Sequence, residues 1–414
     1  MTTHPASLAA AARDRLATWE PTIRAFVALD TEAFDRLDST PSGLLGGLAV
    51  GVKDIIDVRG LPTRFGSRAF GDAPPCEHDA RCVAALRDAG AVIVGKTTST
   101  EFAFTDPTDT RNPYDPDRTP GGSSSGSGAA VGAGVLDLAI ATQTAGSLCR
   151  PAAYCGVTGF KPTRCVVSTI GVAPLAPSFD TVGVIARDVG TAALAYRVWV
   201  GDPVDLLTPV HDAPWPSVGV APLDPDAPMT APALAARDAA AAGLAAHGAP
   251  VGTPMATVPF AAIVADHRRV MLHEAARHHG HLLARAPGTL QPNFSAALHE
   301  GLAIGADEAD AARARLQTAR DAFWRAMSDH DVLLACPVPA SAPMRTAGTT
   351  GWQHLLTPWT VFGGPLLCLP WGVDPDGLPC AVMLCGAPGT DRAVLAAGLR
   401  LEALAPPRPR PATR

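Results

Sequence analysis

The sequence predicts an α/β protein, and two observations carry that reading. First, helix-like and strand-like stretches alternate. Residues 78–90, HDARCVAALRDAG, space their apolar side chains as a helix does and stop at Gly90; residues 91–95, AVIVG, follow as a short apolar run of strand length. The same order returns at 129–144, AAVGAGVLDLAIATQT. Repetition of helix and strand is the pattern of a layered α/β architecture. Second, the chain has 414 residues, 47% hydrophobic and 17% charged, which is enough to bury a large core in one globular unit spanning 1–404.

Taken in order, residues 7–38 read as helix interrupted by Pro21. GGLAVGVKDIIDVRG at 46–60 reads as a short strand entering a loop. Residues 105–128 are polar and turn-rich, and a long irregular loop inside a compact protein is usually functional. A second Gly-containing turn covers 144–147, and 191–201 reads as helix. From 205 to 330, Ala-, Arg- and His-rich helical stretches are expected to cover one side of a sheet. Residues 331–339 and 364–372 are strand candidates within a C-terminal region ending at 404, and the Pro/Arg-rich residues 405–414 are expected to be disordered.

The net charge of −6 makes no electrostatic case for nucleic acid or an anionic membrane as partner. No apolar run reaches the length of a membrane span, and Arg13, Asp14 and Arg15 interrupt any leader-like core, so a cytoplasmic location is expected. Nine cysteines without C-x-x-C pairing read as reduced thiols, and no metal cluster or organic cofactor is expected. Of 33 basic residues only Lys53, Lys96 and Lys161 are lysine. Where charge alone is needed this chain generally uses arginine, so a lysine can mark a place where a group able to give up its proton is wanted, the structural alternative being the GK and GFK turns at Lys96 and Lys161.

Three motifs mislead. Residues 90–97, GAVIVGKT, fit the phosphate-loop pattern G-x-x-x-x-G-K-[ST], but their central Ala-Val-Ile-Val is itself a strand and a helix precedes it. Residues 122–126, GSSSG, fit G-x-S-x-G, yet no hydrophobic strand leads in. Gly126, Gly128 and Gly132 miss the dinucleotide-binding spacing.

Read together, several blocks resemble the amidase signature family. They are GVKDIIDV at 51–58, GKTTSTEFAF at 95–104, GGSSSGSGAAVGAG at 121–134, TQTAGSLCRPAAYCGVTGFKPT at 142–163 and VSTIGVAPLAPSFDTVGVIAR at 167–187. DVLLACPVPASAP at 331–343 and TPWTVFGGPLLCLPWG at 357–372 resemble its later blocks. The likeness is strongest over 44–190 and weak through the middle. It implies a single large mixed β-sheet covered by helices on both faces. It also implies a catalytic group of Lys53, Ser123 after a cis peptide bond, and Ser147 as nucleophile. Ser123 and Ser147 stand 24 residues apart, and Lys53 lies 70 before Ser123.

The chemistry so implied is coherent. A serine hydroxyl needs a base, and lysine serves only when burial has lowered its pKa enough to leave it neutral. Asp54 and Asp57 flank the lysine and are expected to face elsewhere. Ser123 relays the proton of Ser147 to Lys53, and the backbone N–H groups of Thr144, Ala145 and Gly146 hold the oxyanion. The substrate is a small amide, and a homodimer is the default assembly.

The chain also departs from the pattern. Gln143 replaces a frequent aspartate, and Arg150 stands three residues after the nucleophile, where many members carry arginine two after it. This variant resembles the malonamidase-like branch, which implies that Arg150 holds a substrate carboxylate. Gln143, Ser125 and Thr360 are further substrate-binding candidates, and His267, Arg268, His273, Glu274 and Arg277 are pocket candidates from the divergent middle. Two alternatives stay open: an A-type glutaminase subunit supplying ammonia to an acylated tRNA, and a catalytically silent binding protein on the same fold.

Overall fold

Eleven strands form one mixed sheet in the computed structural model, which describes residues 8–39, 43–202, 214–253, 258–408 and 411–412. They are β1 (Phe26–Leu29), β2 (Ala49–Lys53), β3 (Val92–Thr97), β4 (Leu138–Gln143), β5 (Thr158–Lys161), β6 (Thr181–Ala186), β7 (Val218–Val220), β8 (Val251–Gly252), β9 (Val332–Ala335), β10 (Leu366–Val373) and β11 (Pro379–Cys385). Their order across the sheet is β1-β3-β2-β4-β6-β5-β10-β11-β9-β7-β8. The neighbours β3, β2 and β4 run parallel, whereas β4 through β9 pair antiparallel. Every residue of β2, β3 and β4 is buried. That is why these strands read as continuous apolar runs: a strand covered on both faces has no solvent side to alternate with.

Helices flank the sheet. They are α1 (Leu8–Ile23), α2 (Arg81–Asp88), α3 (Ser125–Gly132), α4 (Cys149–Tyr154), α5 (Val189–Val200), α6 (Ala231–Ala246), α7 (Phe260–His279), α8 (Leu282–Arg285), α9 (Pro292–Ala303), α10 (Ala306–Ala326), α11 (Thr357–Phe362) and α12 (Asp391–Glu402). Helices α3 and α4 pack on each other and on the central strands, while α2, α5 and α12 form a second group. Helix α7 packs against α9, α10 and α11, and so ties the divergent middle of the chain to the C-terminal blocks.

The glycines of 121–134 serve close packing. A Cβ on Gly126 would stand 2.1 Å from the Ala25 carbonyl oxygen, and one on Gly128 would stand 2.9 Å from Pro151 Cβ. Only a residue without a side chain lets α3 approach this closely. Gly90 has φ +95 and follows the end of α2, and Val92 to Lys96 are strand. The residues that would cradle a phosphate are therefore sheet.

Two expectations are corrected. Residues 7–38 are not all helix: α1 ends at Ile23, and β1 and a 3-10 turn (Thr31–Leu37) follow. Pro21 is accommodated inside α1; the chain turns where Arg24 takes φ +51, and the Glu20 carboxylate accepts the N–H groups of Ala25 and Phe26 at 2.9 and 3.0 Å. The middle region also contributes β7 and β8, of three and two residues, too short to print a period on the sequence. Within the tail, Arg408 donates to Glu402 and Thr158. Among the described residues no helix is long and apolar enough to cross a membrane.

Candidate active site

Parallel pairing of β2 with β4 sets Val52 opposite Ile140, so both strands end at the same sheet edge. Lys53 closes β2 and Gln143 closes β4. Lys53 is 0% exposed, and its Nζ donates to Ser123 Oγ at 2.7 Å and to Thr142 Oγ1 at 2.8 Å. Both partners are neutral hydroxyls. Burial pushes the Lys53 pKa down to about 7; Asp180 opposes the shift and Arg150 adds to it. Asp54 is turned away: it sits 3.2 Å from Lys96 Nζ and accepts the N–H groups of Arg64 and Gly66. Asp57 accepts from Cys76.

All three lysines are fully buried, with different partners. Lys96 is neutralised by Asp54 and donates to Thr63 Oγ1 at 2.7 Å. Lys161 donates to the carbonyls of Pro162 and Gly364 at 2.8 and 2.7 Å, bracing β5. Only Lys53 faces a serine.

Ser123 follows a cis peptide bond from Gly122 and precedes α3. Its carbonyl accepts from Thr100 N–H at 3.1 Å, and the next residue, Ser124, donates its N–H to the Ser147 carbonyl at 3.2 Å. One backbone hydrogen bond thus joins the segment of Ser123 to that of Ser147. Ser147 keeps 7% exposure, whereas Ser123 keeps none.

In the turn from 144 to 147, each carbonyl is held by a donor from elsewhere. Thr144 oxygen is 2.9 Å from His267 Nε2, and Ala145 oxygen accepts from Thr360 Oγ1. Gly146 oxygen accepts from Arg150 N–H at 3.0 Å and Ser147 oxygen from Ser124 N–H. In a trans peptide the N–H points opposite its C=O, so pinning the carbonyls fixes the direction of the following N–H groups. Among the described residues the N–H groups of Ala145, Gly146 and Ser147 find no protein acceptor. Free, oriented donors of this kind are what a developing oxyanion requires.

The remaining expected substrate contacts are turned inward. Gln143 Oε1 accepts from Leu148 and Cys149 N–H at 3.1 and 3.0 Å, and its Nε2 donates to Thr360 Oγ1 at 3.0 Å. Ser125 Oγ donates to Gly121 oxygen at 2.7 Å. Gln143, Ser125 and Thr360 therefore brace the loops; a buried amide or hydroxyl must find its partner within the protein. Arg150 is 2% exposed and donates to the Gly122 carbonyl, Thr350 Oγ1 and the Gly351 carbonyl. Among the described residues its Nε finds no hydrogen-bond partner, and burial lowers its pKa to about 10.

Of the middle-region candidates, His267 alone touches the turn at 144–147. Arg268 pairs with Glu300, His273 binds the Ile304 carbonyl, and Glu274 accepts from Ser178 and Arg313. Arg277 is exposed. Thr142 and Asp180 were not singled out from the sequence. Asp180 accepts from Thr144 Oγ1 at 2.6 Å and from Leu175 and Ala176 N–H. Its signal was its place in the SFDTVG block, which says nothing about its partner.

A cavity of about 320 Å³ is lined by Phe104, Val264, His267, Met271, Ala296 and His354 among others. A larger hollow of about 1080 Å³ beside α1, Tyr114 and Arg187 contains none of the candidate catalytic residues. Neither cavity is lined by Lys53, Ser123 or Ser147; the smaller one is linked to the turn at 144–147 by His267, which lines it and hydrogen-bonds to Thr144.

The Amidase family model matches residues 9–395. The A-type subunit of the glutamyl-tRNA(Gln) amidotransferase from Roseiflexus sp. (strain RS-1) is 40% identical over 215 residues, covering 48% of this chain and 44% of that protein. The chain thus spans less than half the length of the curated relatives it matches. A crystal structure of an amidase superposes with TM-score 0.86 at 30% identity, covering 97% of this chain and 96% of the other. The native peptide amidase from Stenotrophomonas maltophilia superposes with TM-score 0.80 at 26% identity, covering 98% and 94%.

Proposed function

The chain belongs to the amidase signature family, and from that premise we propose that it hydrolyses a small amide C–N bond through an acyl-enzyme on Ser147. The observation that carries this reading is Lys53: fully buried, hydrogen-bonded to Ser123, and lowered to about 7. Neutral Lys53 takes the Ser123 proton as Ser123 takes that of Ser147, and Ser147 Oγ bonds to the amide carbon. The oxyanion meets the N–H groups of the turn at 144–147. As the C–N bond breaks, the proton returns through Ser123 to the departing nitrogen. Water then attacks the ester by the same relay in reverse, and Ser147 is regenerated.

The substrate reading rests on two features. Arg150 is a buried cation with only neutral hydrogen-bond partners beside Gly122, which favours a carboxylated amide of malonamate type. Among the described residues Nε–H and one Nη1 hydrogen of Arg150 are uncommitted, and a two-point hold through Nη2 requires it to give up its contact with Gly122 or Thr350. Arg150→Met is expected to raise KM for malonamate by about tenfold, the worth of one charged hydrogen bond, and to change KM for neutral amides less than about twofold. Equal loss on both would assign Arg150 to bracing the Gly122 turn alone.

The cavity bordered by His267 is the proposed place for the body of the substrate. Ala296 lines it and is exposed, so Ala296→Trp fills it without disturbing the core. That variant is expected to cut kcat/KM for benzamide by about tenfold while acetamide stays within about twofold. A parallel loss on both amides would place the substrate elsewhere.

The similarity to the Roseiflexus amidotransferase protein supports a second reading, glutamine hydrolysis for ammonia transfer. Ammonia release from glutamine, absent from other amides, would favour it.

A further inference from the structure

We propose that His267, from the divergent middle of the chain, is a positioning residue that orients the oxyanion-binding turn. This inference rests on the catalytic reading above and adds to it a residue outside the sequence blocks that carry the family resemblance.

Two contacts grip Thr144, the residue that enters the turn. His267 Nε2 lies 2.9 Å from its carbonyl oxygen, and Asp180 accepts from its hydroxyl at 2.6 Å. A carbonyl only accepts, so Nε2 carries the hydrogen and the imidazole is held in one tautomer. The 144–145 peptide is trans, since among the described residues the one cis bond joins Gly122 and Ser123. Holding the Thr144 oxygen at His267 therefore points the Ala145 N–H the opposite way. Without that anchor the peptide plane is free to rotate, and the Ala145 donor loses its fixed aim. Preorganisation of this kind is what gives an oxyanion donor its effect on rate.

The imidazole is itself held in place. His267 is 3% exposed on α7, and its ring lies 4.4 Å from that of Phe179, centroid to centroid. Burial lowers its pKa to about 4, against the raising effects of the Thr144 hydrogen bond and Glu274 and with a further lowering from His354. The ring is neutral at neutral pH, so it donates to Thr144 without placing a full charge beside the oxyanion. Helix α7 also packs on α11, which carries Thr360, the donor to the next carbonyl of the turn. The middle region and the C-terminal block thus grip successive peptides of one turn.

The test compares native protein with His267→Ala, His267→Gln and Ser147→Ala. A glutamine amide reaches about as far as Nε2 and carries an N–H. The readouts are kcat and KM on the best amide found, and the Kd of phenylboronic acid, which forms a tetrahedral adduct on a nucleophilic serine. His267→Ala is expected to lower kcat and boronate affinity by about tenfold with KM within about twofold, and His267→Gln to restore most of both. Unchanged kcat and boronate affinity in His267→Ala would overturn the inference. So would a loss in which KM and thermal stability fall together with kcat and glutamine rescues nothing, since that is a packing role. If native protein shows no boronate affinity that depends on Ser147, the catalytic reading itself fails and this inference falls with it.

Discussion

Ser147→Ala is expected to abolish amide hydrolysis, with kcat lower by about 10⁴-fold or more, while the fold is unchanged. The magnitude follows from what is removed. Without Ser147 Oγ no acyl-enzyme forms, and the relay through Ser123 and Lys53 has no proton to take; residues that act as one unit lose nearly everything when any one goes. What survives is binding and the oxyanion donors acting on water. The substitution deletes one hydroxyl from a side chain 7% exposed, and the carbonyl of Ser147 keeps its bond from Ser124 N–H. Steady-state ammonia release and a melting curve check both halves. Wild-type turnover in Ser147→Ala would remove the assigned nucleophile.

Lys53→Met carries the second large effect, a fall in kcat of about 10³-fold, within the range a positioned general base supplies. The pH profile gives the sharper test. Lysine acts as base only when neutral, so native kcat/KM is expected to rise with pH through about 7, where Lys53 loses its proton. The cause is burial without a carboxylate partner, since its hydrogen-bond partners are the hydroxyls of Ser123 and Thr142. In Lys53→Met the residual rate is expected to lack that limb. Stability carries the same signature. The folded pKa lies below the unfolded value of 10.5, so between about 7 and 10.5 the unfolded chain binds more protons and Lys53 makes stability rise with pH. Below about 7 the full cost of burying the charge is present. Methionine removes this term, so the thermal midpoint of Lys53→Met is expected to vary less with pH across that window. A native profile flat from pH 6 to 8 would mean that Lys53 is not the base.

Much of this site was legible from residues alone. The scarcity of lysine singled out three buried positions, of which Lys53 meets a serine, whereas Lys96 pairs with Asp54 and Lys161 braces the carbonyls of Pro162 and Gly364. The resemblance of the ordered blocks to a family grouped Lys53 with Ser123, and the structure places them 2.7 Å apart. The phosphate-loop lookalike was separable because Ala-Val-Ile-Val has a strand preference, and Val92 to Val94 are strand. The short strands β7 and β8 were not legible, since two or three residues hold no period. Nor was the end of α1, where Arg24 takes φ +51 and the Glu20 carboxylate accepts the N–H groups of Ala25 and Phe26.

The polar side chains taken as substrate contacts show where such reading stops. Gln143, Ser125 and Thr360 were placed as departures from the family's pattern within the blocks that resemble it. A polar residue near a site either faces the ligand or satisfies the loop that holds it, and sequence does not separate the two. Here they hydrogen-bond to protein.

The grouping of lysine with the serines came from the likeness of ordered blocks to a family; local pattern was enough for the α/β class and the buried strands. These are written in apolar period, in turn residues and in composition, which act within a few residues of one another. Which donor meets which carbonyl was settled by packing. His267 reaches Thr144 across 123 positions, Arg150 reaches Thr350 across 200, and Thr360 reaches Ala145 across 215. A buried carbonyl must find a donor, but any donor of fitting geometry serves. Which one arrives is fixed by how the sheet and helices come together, and no local pattern records it.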